Sequence, residues 1–320
     1  MRKIALSAVA LMAGLSLACC GGDDDREKVD VGGGKKTVLQ QEDKKPDSAH
    51  GGSGGTEQAV TPQERQARAK VKLLKERLAK TTDSDDRAEI LGEVVTLGAH
   101  AMSMWSEVVA CFKDEEPFTR GFALQAAAKV NPTSCRELLE QGLKDDEAEV
   151  RKMAAEAWCQ AEIKDLAPLL DIVPNELEAQ VQMAIMVAVE KHGQKYHAAQ
   201  VTKIMGDLDS NALKPAIRFL VEKGEDAPAF APAIAEYLDR ADLDLRVLAA
   251  RSIEKLGFKN KAILTKLCST LVDEESSVRK AGIETLRKLT GQDLGYALED
   301  SEEERAESEK EWRDWVLKNG

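Results

Sequence analysis

Apolar residues recur from about residue 84 to residue 291 with a helical spacing, and the pattern repeats every 31 to 33 residues. One position in each unit, here called the anchor, is usually arginine. The anchors are Arg120, Arg151, Gln182, Leu213, Arg246 and Arg279. A branched aliphatic residue stands twelve positions before every anchor, from Val108 in the first unit to Leu267 in the last. A fixed period of this length predicts a repeat protein.

Each unit contains the apolar faces of two helices. Positions twelve and eight before the anchor lie one turn apart on a first helix, and positions three and seven after it share a face of a second helix. The residue three after the anchor is usually small, which lets two helices approach closely. An acid stands six before the anchor in five of the six units. We expect it to start the second helix and the anchor arginine to pair with an acid of the neighbouring unit.

An acid followed by Val-Arg and then by small residues, over 146–155 and again over 274–282, resembles the HEAT repeat. The short period is similar to that of the HEAT-like class found in phycobilin lyases. This resemblance implies an all-α fold, a right-handed α-solenoid of about six to seven helical hairpins. It covers about residues 84–291 and is specific for the fold but not for the function, because many unrelated partners bind such solenoids.

Both ends of the array carry helix-start signals. Thr61-Pro62-Gln63-Glu64 is a capping box with proline at the first helical position, so the solenoid is predicted to span 61–291. Residues 292–320 contain a Gly-Tyr turn and an acidic helix with Trp312 and Trp315, an ending that resembles that of other bacterial envelope HEAT-repeat proteins. We expect this helix to cap the apolar edge of the last hairpin. The alternative is an aromatic partner site.

The first residues resemble a lipoprotein signal peptide over 1–19. Arg2 and Lys3 precede an apolar run that ends at Ala18 and is too short to span a bilayer. The segment 15–20 resembles a lipobox, with Cys19 as the predicted lipidation site and Cys20 as the alternative. A plain secretory signal is the competing interpretation.

Residues 20–60 are rich in Gly, Asp and Lys and poor in large apolar residues, which predicts a disordered stalk. No Asp directly follows either candidate cysteine. The sequence therefore predicts a protein of the cell envelope that is lipid-anchored in the outer membrane and faces the periplasm.

The chain carries no motif that predicts catalysis, a cofactor or a metal. Cys111, Cys135, Cys159 and Cys268 form no C-x-x-C pair, and the histidines form no H-E-x-x-H. Cys135 and Cys159 fall near the open end of one predicted hairpin, so a disulfide between them is a candidate in an oxidising compartment. A net charge of −12 and a pI of about 5.1 disfavour a nucleic-acid partner.

Two classes of function remain. The first is a membrane-tethered scaffold for protein–protein interaction, with a protein or peptide partner of unknown identity. Second helices typically line the concave face of such arrays, and their outward residues would form the binding face. These candidates are Gln125, Lys152, Glu156, Met183, Lys214, Arg218, Arg251, Lys280 and Glu284. They carry both charge signs, which indicates a polar, protein-like partner.

The second class is a chromophore lyase or chaperone, and only the repeat subtype suggests it. A bilin site would require an apolar, aromatic concavity. Phe122 is nearly the only aromatic candidate near these columns.

Overall fold

A computed structural model describes residues 61–223 and 227–320, and residues 67–320 form one compact unit. The predicted signal peptide, the lipidation candidates Cys19 and Cys20, and the stalk lie outside the described residues. In the described part, α-helices and short 3-10 turns follow one another without a strand. The helices are α1 (Pro62–Lys80), α2 (Ser84–Leu97), α3 (Trp105–Cys111), α4 (Pro117–Val130), α5 (Arg136–Gly142), α6 (Ala148–Gln160), α7 (Ala167–Ile172), α8 (Ala179–His192), α9 (Ala198–Ile204), α10 (Ser210–Lys223), α11 (Ala227–Ala235), α12 (Leu243–Leu256), α13 (Lys261–Ser269), α14 (Ser276–Thr290) and α15 (Glu302–Asn319).

These helices form an α-solenoid of seven hairpins followed by a capping helix. The even-numbered helices are the second helices of their hairpins, and each packs along the next from α2 to α14. The first helices contact one another less, so the second helices form the tighter layer of the array. The predicted all-α solenoid of HEAT-like hairpins is confirmed.

The first hairpin of the array is α1–α2, which lies before the six units that the repeat columns identified. Its anchor is Arg87, 33 residues before Arg120, and it pairs with Asp114 of the next hairpin. The aliphatic residue that stands twelve positions before the other anchors is missing here, because Lys75 occupies that position before Arg87.

The predicted apolar columns form the core. The residues seven after the six sequence-defined anchors all have 0% exposure. They are Ala127, Trp158, Val189, Leu220, Ile253 and Leu286. Small residues permit the close packing: a Cβ at Gly142 would lie 2.5 Å from Leu124 Cδ1, and a Cβ at Gly282 would collide with the side chain of Thr270. The sequence period therefore corresponds directly to layers of buried side chains.

A ladder of arginine–carboxylate pairs connects successive hairpins, as predicted. Arg120 donates from Nε and Nη2 to the two carboxylate oxygens of Asp145, at 2.8 and 2.7 Å. Its Nη1 donates to the backbone carbonyls of Asp114 and Glu115, at 3.0 and 2.9 Å. Arg151 repeats this arrangement with Glu176. Each of these two arginines therefore closes its own turn and binds the next hairpin.

The acids of this ladder do not start the second helices directly, which corrects the sequence prediction. Asp145 Oδ1 accepts from the Glu147 N–H at 3.0 Å, whereas α6 begins at Ala148 with Glu147 as its N-cap. The acid therefore closes the turn that precedes the cap. The Asp145 carboxylate also binds Arg120 of the preceding hairpin.

The ladder is interrupted in the middle of the array. At the fourth hairpin Gln182 replaces arginine and donates from Nε2 to the carbonyls of Glu176 and Asp207, at 2.7 and 2.9 Å. At the fifth, the anchor is the buried Leu213, and the acid that would face it is replaced by the exposed Arg240. Both members of the pair are absent together, so neither leaves a buried charge without its partner.

The last hairpin is covered by α15. This helix packs on α13 and on the 3-10 turn Thr270–Val272, and Trp312 and Val316 have 0% exposure there. Trp315 is half-buried, with its ring edge-on to Trp312 at a centroid distance of 6.4 Å. The capping box predicted at the start of the helix is present, since the Glu304 N–H donates to Ser301 Oγ at 3.3 Å and the Ser301 N–H to Glu304 at 2.8 Å.

The segment Ser84–Cys111 is long and apolar enough, by length and composition, to cross a membrane. In this structure it consists of α2, the 3-10 turn Gly98–Met104 and α3. Ile90, Leu91 and Val94 have 0% exposure, and α2 packs along α4. Its apolar residues contribute to the core of the first two hairpins.

Candidate functional site

The predicted binding residues lie on the second helices, and here they are called the second-helix face. They do not behave alike along the array. Gln125 on α4 is only 6% exposed, whereas Arg251 on α12 is exposed, as are Lys280 and Glu284 on α14. The face therefore has a partly buried N-terminal half and an open C-terminal half.

The N-terminal half centres on Glu156 of α6. Gln125 Nε2 donates to Glu156 Oε2 at 3.3 Å, a contact between successive second helices. Gln160 lies one turn farther along α6, on the same side as Glu156. Its Oε1 is buried and accepts no hydrogen bond from the described residues. Two oxygen acceptors on one helix face are thus supplied with a single long hydrogen bond.

Burial raises the pKa of Glu156 above its ordinary value, and the nearby Glu149 acts in the same direction. Lys152 and the hydrogen bond from Gln125 oppose the shift without cancelling it. Lys152 itself is bound to Glu149, with Nζ 2.7 Å from Oε1. The carboxylate of Glu156 is therefore desolvated and under-compensated, so it would gain from a further hydrogen-bond donor.

Apolar and half-exposed positions on α8 continue this half of the face. Met183, one of the predicted residues, and Val187 one turn later are both half-exposed. A partner that reaches Glu156 would therefore find apolar surface on the next helix.

The C-terminal half is polar, and part of it is internally paired. Lys214 Nζ lies 3.2 Å from Asp242 and 3.4 Å from Asp244, at the start of the next second helix. Arg218 donates to both oxygens of Glu190, at 2.5 and 2.9 Å. For Arg251, Lys280 and Glu284 the described residues provide no ion pair.

Three relevant residues escaped the sequence analysis. Gln160 and Glu190 lie eight or nine positions after their anchors, one turn beyond the columns that were considered, and Val187 occupies a column chosen for its polar members. In the column five positions after the anchor, Val187 is apolar whereas Arg218 of the next unit is charged. This apolar residue in a polar column is the sequence signal for the apolar stretch on α8.

The disulfide predicted between Cys135 and Cys159 is not formed in this structure, where both are buried thiols. Cys135 precedes α5 and Cys159 lies near the end of α6, so they do belong to the same end of one hairpin. The Cys135 thiol instead donates within its own turn, with Sγ 3.4 Å from the Pro132 carbonyl oxygen.

Three of the four described thiols are poorly suited to nucleophilic chemistry. Burial raises the pKa of Cys111 and of Cys135 to about 11 and that of Cys268 to about 12. At neutral pH these groups are protonated, whereas a nucleophilic cysteine is a thiolate.

His192 and His197 are structural. His192 Nε2 donates to the Cys159 carbonyl at 2.9 Å, and His197 Nδ1 accepts from the Gln194 N–H at 3.0 Å. Burial lowers the pKa of both imidazoles, which are neutral at pH 7. The described residues contain no group of three or more His, Cys, Asp or Glu side chains placed to hold a metal ion.

Phe122, the aromatic candidate for a chromophore site, is 8% exposed and belongs to the core of α4. It offers no aromatic wall to a ligand on the second-helix face.

No protein-family model and no curated protein sequence matches the chain. Among solved structures, the complex of CpcE and CpcF of phycocyanin lyase from Nostoc sp. is similar with 16% identity and a TM-score of 0.39, over 84% of this chain and 100% of that chain. Two engineered proteins match with 19% and 15% identity and TM-scores of 0.34 and 0.36. These alignments cover 71% and 77% of this chain, and 99% and 81% of the engineered chains.

Proposed function

We propose that this chain is a membrane-tethered scaffold that binds a protein or peptide partner at the cell envelope along its second-helix face. The observation that carries the proposal is the carboxylate of Glu156 on α6. Glu156 is desolvated, half-exposed and held by one long hydrogen bond. A ligand that supplies a further donor to this carboxylate would gain a charge-assisted hydrogen bond.

The chemistry of the partner follows from this carboxylate and its surroundings. A lysine or arginine side chain would donate to Glu156, and charge-assisted hydrogen bonds of this kind are the stronger ones. The adjacent Met183 and Val187 offer apolar contact, and the exposed Arg251 and Glu284 extend the surface with both charge signs. A protein or peptide with a basic residue beside apolar ones fits this order of contacts.

The tether is supported by the amino-acid sequence alone. The apolar run that ends at Ala18, the lipobox-like residues up to Cys19 and Cys20, and the following Gly-rich stretch are the layout of a lipid-anchored protein with a spacer. Replacing both cysteines with serine should release the chain from membranes that are washed at high salt, which removes proteins held only by charge. Continued sedimentation with the washed membranes would contradict the tether without touching the binding face.

The binding face is tested by capture of partners from detergent-solubilised envelopes, followed by affinity measurement on the purified pair. Glu156→Gln keeps the size of the side chain and removes its charge. Loss of a charge-assisted hydrogen bond should weaken binding about 10- to 100-fold.

The matched control is Glu140→Gln on the first helix α5, where the carboxylate pairs with Arg136 at 2.8 Å. This variant should bind like the wild type. Equal affinities of the two variants for the partner would show that the second-helix face does not bind it.

A further inference from the structure

The first helix of the array is basic in an acidic protein. Helix α1 contains seven basic and two acidic residues, a net charge of +5. Because the whole chain carries −12, the residues outside α1 carry −17. No other described helix carries as large a net positive charge.

Some of these basic residues are used inside the array. Lys70 pairs with Glu93 at 3.1 Å and Arg77 with Asp86 at 2.9 Å, both on α2. They account for the attachment of α1 to its own hairpin.

The opposite flank of α1 has a different arrangement. Arg68, Lys72 and Lys75 follow one another at i, i+4 and i+7, so they form one stripe. This stripe, with His100 and Ser103 of the following 3-10 turn, lines a groove of about 230 Å³. We refer to it as the cationic groove.

The cationic groove has more positive than negative charge available. Lys75 is bound to Glu107 at 2.7 Å and donates to the Ser103 carbonyl at 3.0 Å. Arg68 and Lys72 are exposed, and no acid among the described residues pairs with either. Met102, one residue before Ser103, is an apolar residue with 47% exposure. Exposed basic residues beside an apolar side chain suit the boundary between lipid headgroups and acyl chains.

We propose that the cationic groove docks on an anionic phospholipid surface and sets how the array stands on the membrane. The inference rests on the proposed tether, because α1 is the first described helix and follows the segment that leads from Cys19. Charge complementarity selects the occupant: phosphate headgroups match Arg68 and Lys72, and the remainder of the chain, at −17, is repelled from the same surface. A lipid chain and a basic patch together give firmer attachment than a single lipid signal.

The test uses the full chain with Cys19→Ser and Cys20→Ser, so that no lipid holds it to the membrane. Binding is measured on vesicles of phosphatidylethanolamine with phosphatidylglycerol and on vesicles of phosphatidylcholine alone. Each basic residue near an anionic surface strengthens binding about fivefold. Arg68→Gln with Lys72→Gln should therefore weaken binding to the anionic vesicles about 25-fold, and added salt should weaken the binding of the parent chain.

The matched control is Lys191→Gln with Lys255→Gln, which removes the same charge from exposed positions on α8 and α12. All variants carry the same N-terminal segment, so differences between them report on the groove.

A fluorophore attached to Met102→Cys should shift its emission to shorter wavelength with anionic vesicles only. Equal loss of binding in the two charge variants, or no fluorophore shift, would overturn the proposal. Cell fractionation of the cysteine variant with a high-salt wash tests the tether separately, because the wash disrupts electrostatic docking and the vesicle assay does not depend on lipidation.

Discussion

At the scale of single residues, the ladder of anchors gives the array much of its connection between hairpins. The side chains of Arg120 and Asp145 are 16% and 9% exposed. Burial alone would raise the pKa of Asp145, but hydrogen bonds from Arg120 and from the Glu147 N–H outweigh it and hold this pKa below its usual range. The ionised pair therefore favours the folded state at neutral pH, and its contribution is lost as the pH falls through the lowered pKa of the carboxyl.

We predict that Asp145→Asn lowers the free energy of unfolding by about 2 to 3 kcal/mol, because it weakens a bidentate bond to a buried guanidinium. The control is Asp165→Asn. Its carboxylate binds Arg136 at 2.7 Å, but the two side chains are 49% and 45% exposed, so the change should cost less than about 1 kcal/mol. Urea unfolding followed by circular dichroism measures both, and equal costs would contradict the role given to the ladder.

At the scale of elements, α15 replaces the hairpin that would follow α14. Tyr296 Oη donates to the Leu271 carbonyl at 2.8 Å, as Tyr237 does to the Met205 carbonyl at 3.1 Å inside the array. Trp312 and Val316 then cover the outward side of α13. The capping segment therefore reproduces contacts of a repeat without being one.

We predict that Trp312→Ala lowers the free energy of unfolding by about 3 to 5 kcal/mol, the range for truncating a buried aromatic side chain. Trp315→Ala should cost less, because Trp315 is half-buried. Hydrogen exchange in Trp312→Ala should accelerate first in α13 and α14 and leave α4 protected. Uniform acceleration over all helices, or a variant as stable as the wild type, would show that α15 is not a cap.

Sequence patterns predicted the helices that place the same column of side chains in the core of every hairpin. The column from Ala127 to Leu286 is wholly buried, so its apolar character was visible without a structure. The solenoid was predicted to begin at residue 61, but the repeat columns did not resolve its first hairpin, because α1 has no preceding neighbour and carries Lys75 in the aliphatic column. The burial of Gln125 was missed because it depends on how closely α4 and α6 approach, which Gly121 permits by leaving room for Met153.

At the scale of the whole molecule, the described array has two different ends with the second-helix face between them. The cationic groove lies at the end that follows the predicted stalk, and the aromatic cap closes the other end. In our account the first end meets the membrane and the second-helix face remains open to a partner. The half-exposed Glu156 then gives the partner a fixed point, and the exposed Arg251 and Glu284 lie farther along the same face.

The most direct test of the scaffold is site-specific photo-crosslinking in intact cells. A photoreactive amino acid replaces Arg251 on the second-helix face, or, as the control, the exposed Lys203 on the first helix α9. We predict a discrete adduct of higher mass from position 251 that is absent from position 203 and is lost when Glu156→Gln is added. No adduct from position 251, or equal adducts from both positions, would contradict a scaffold that binds its partner through the second helices.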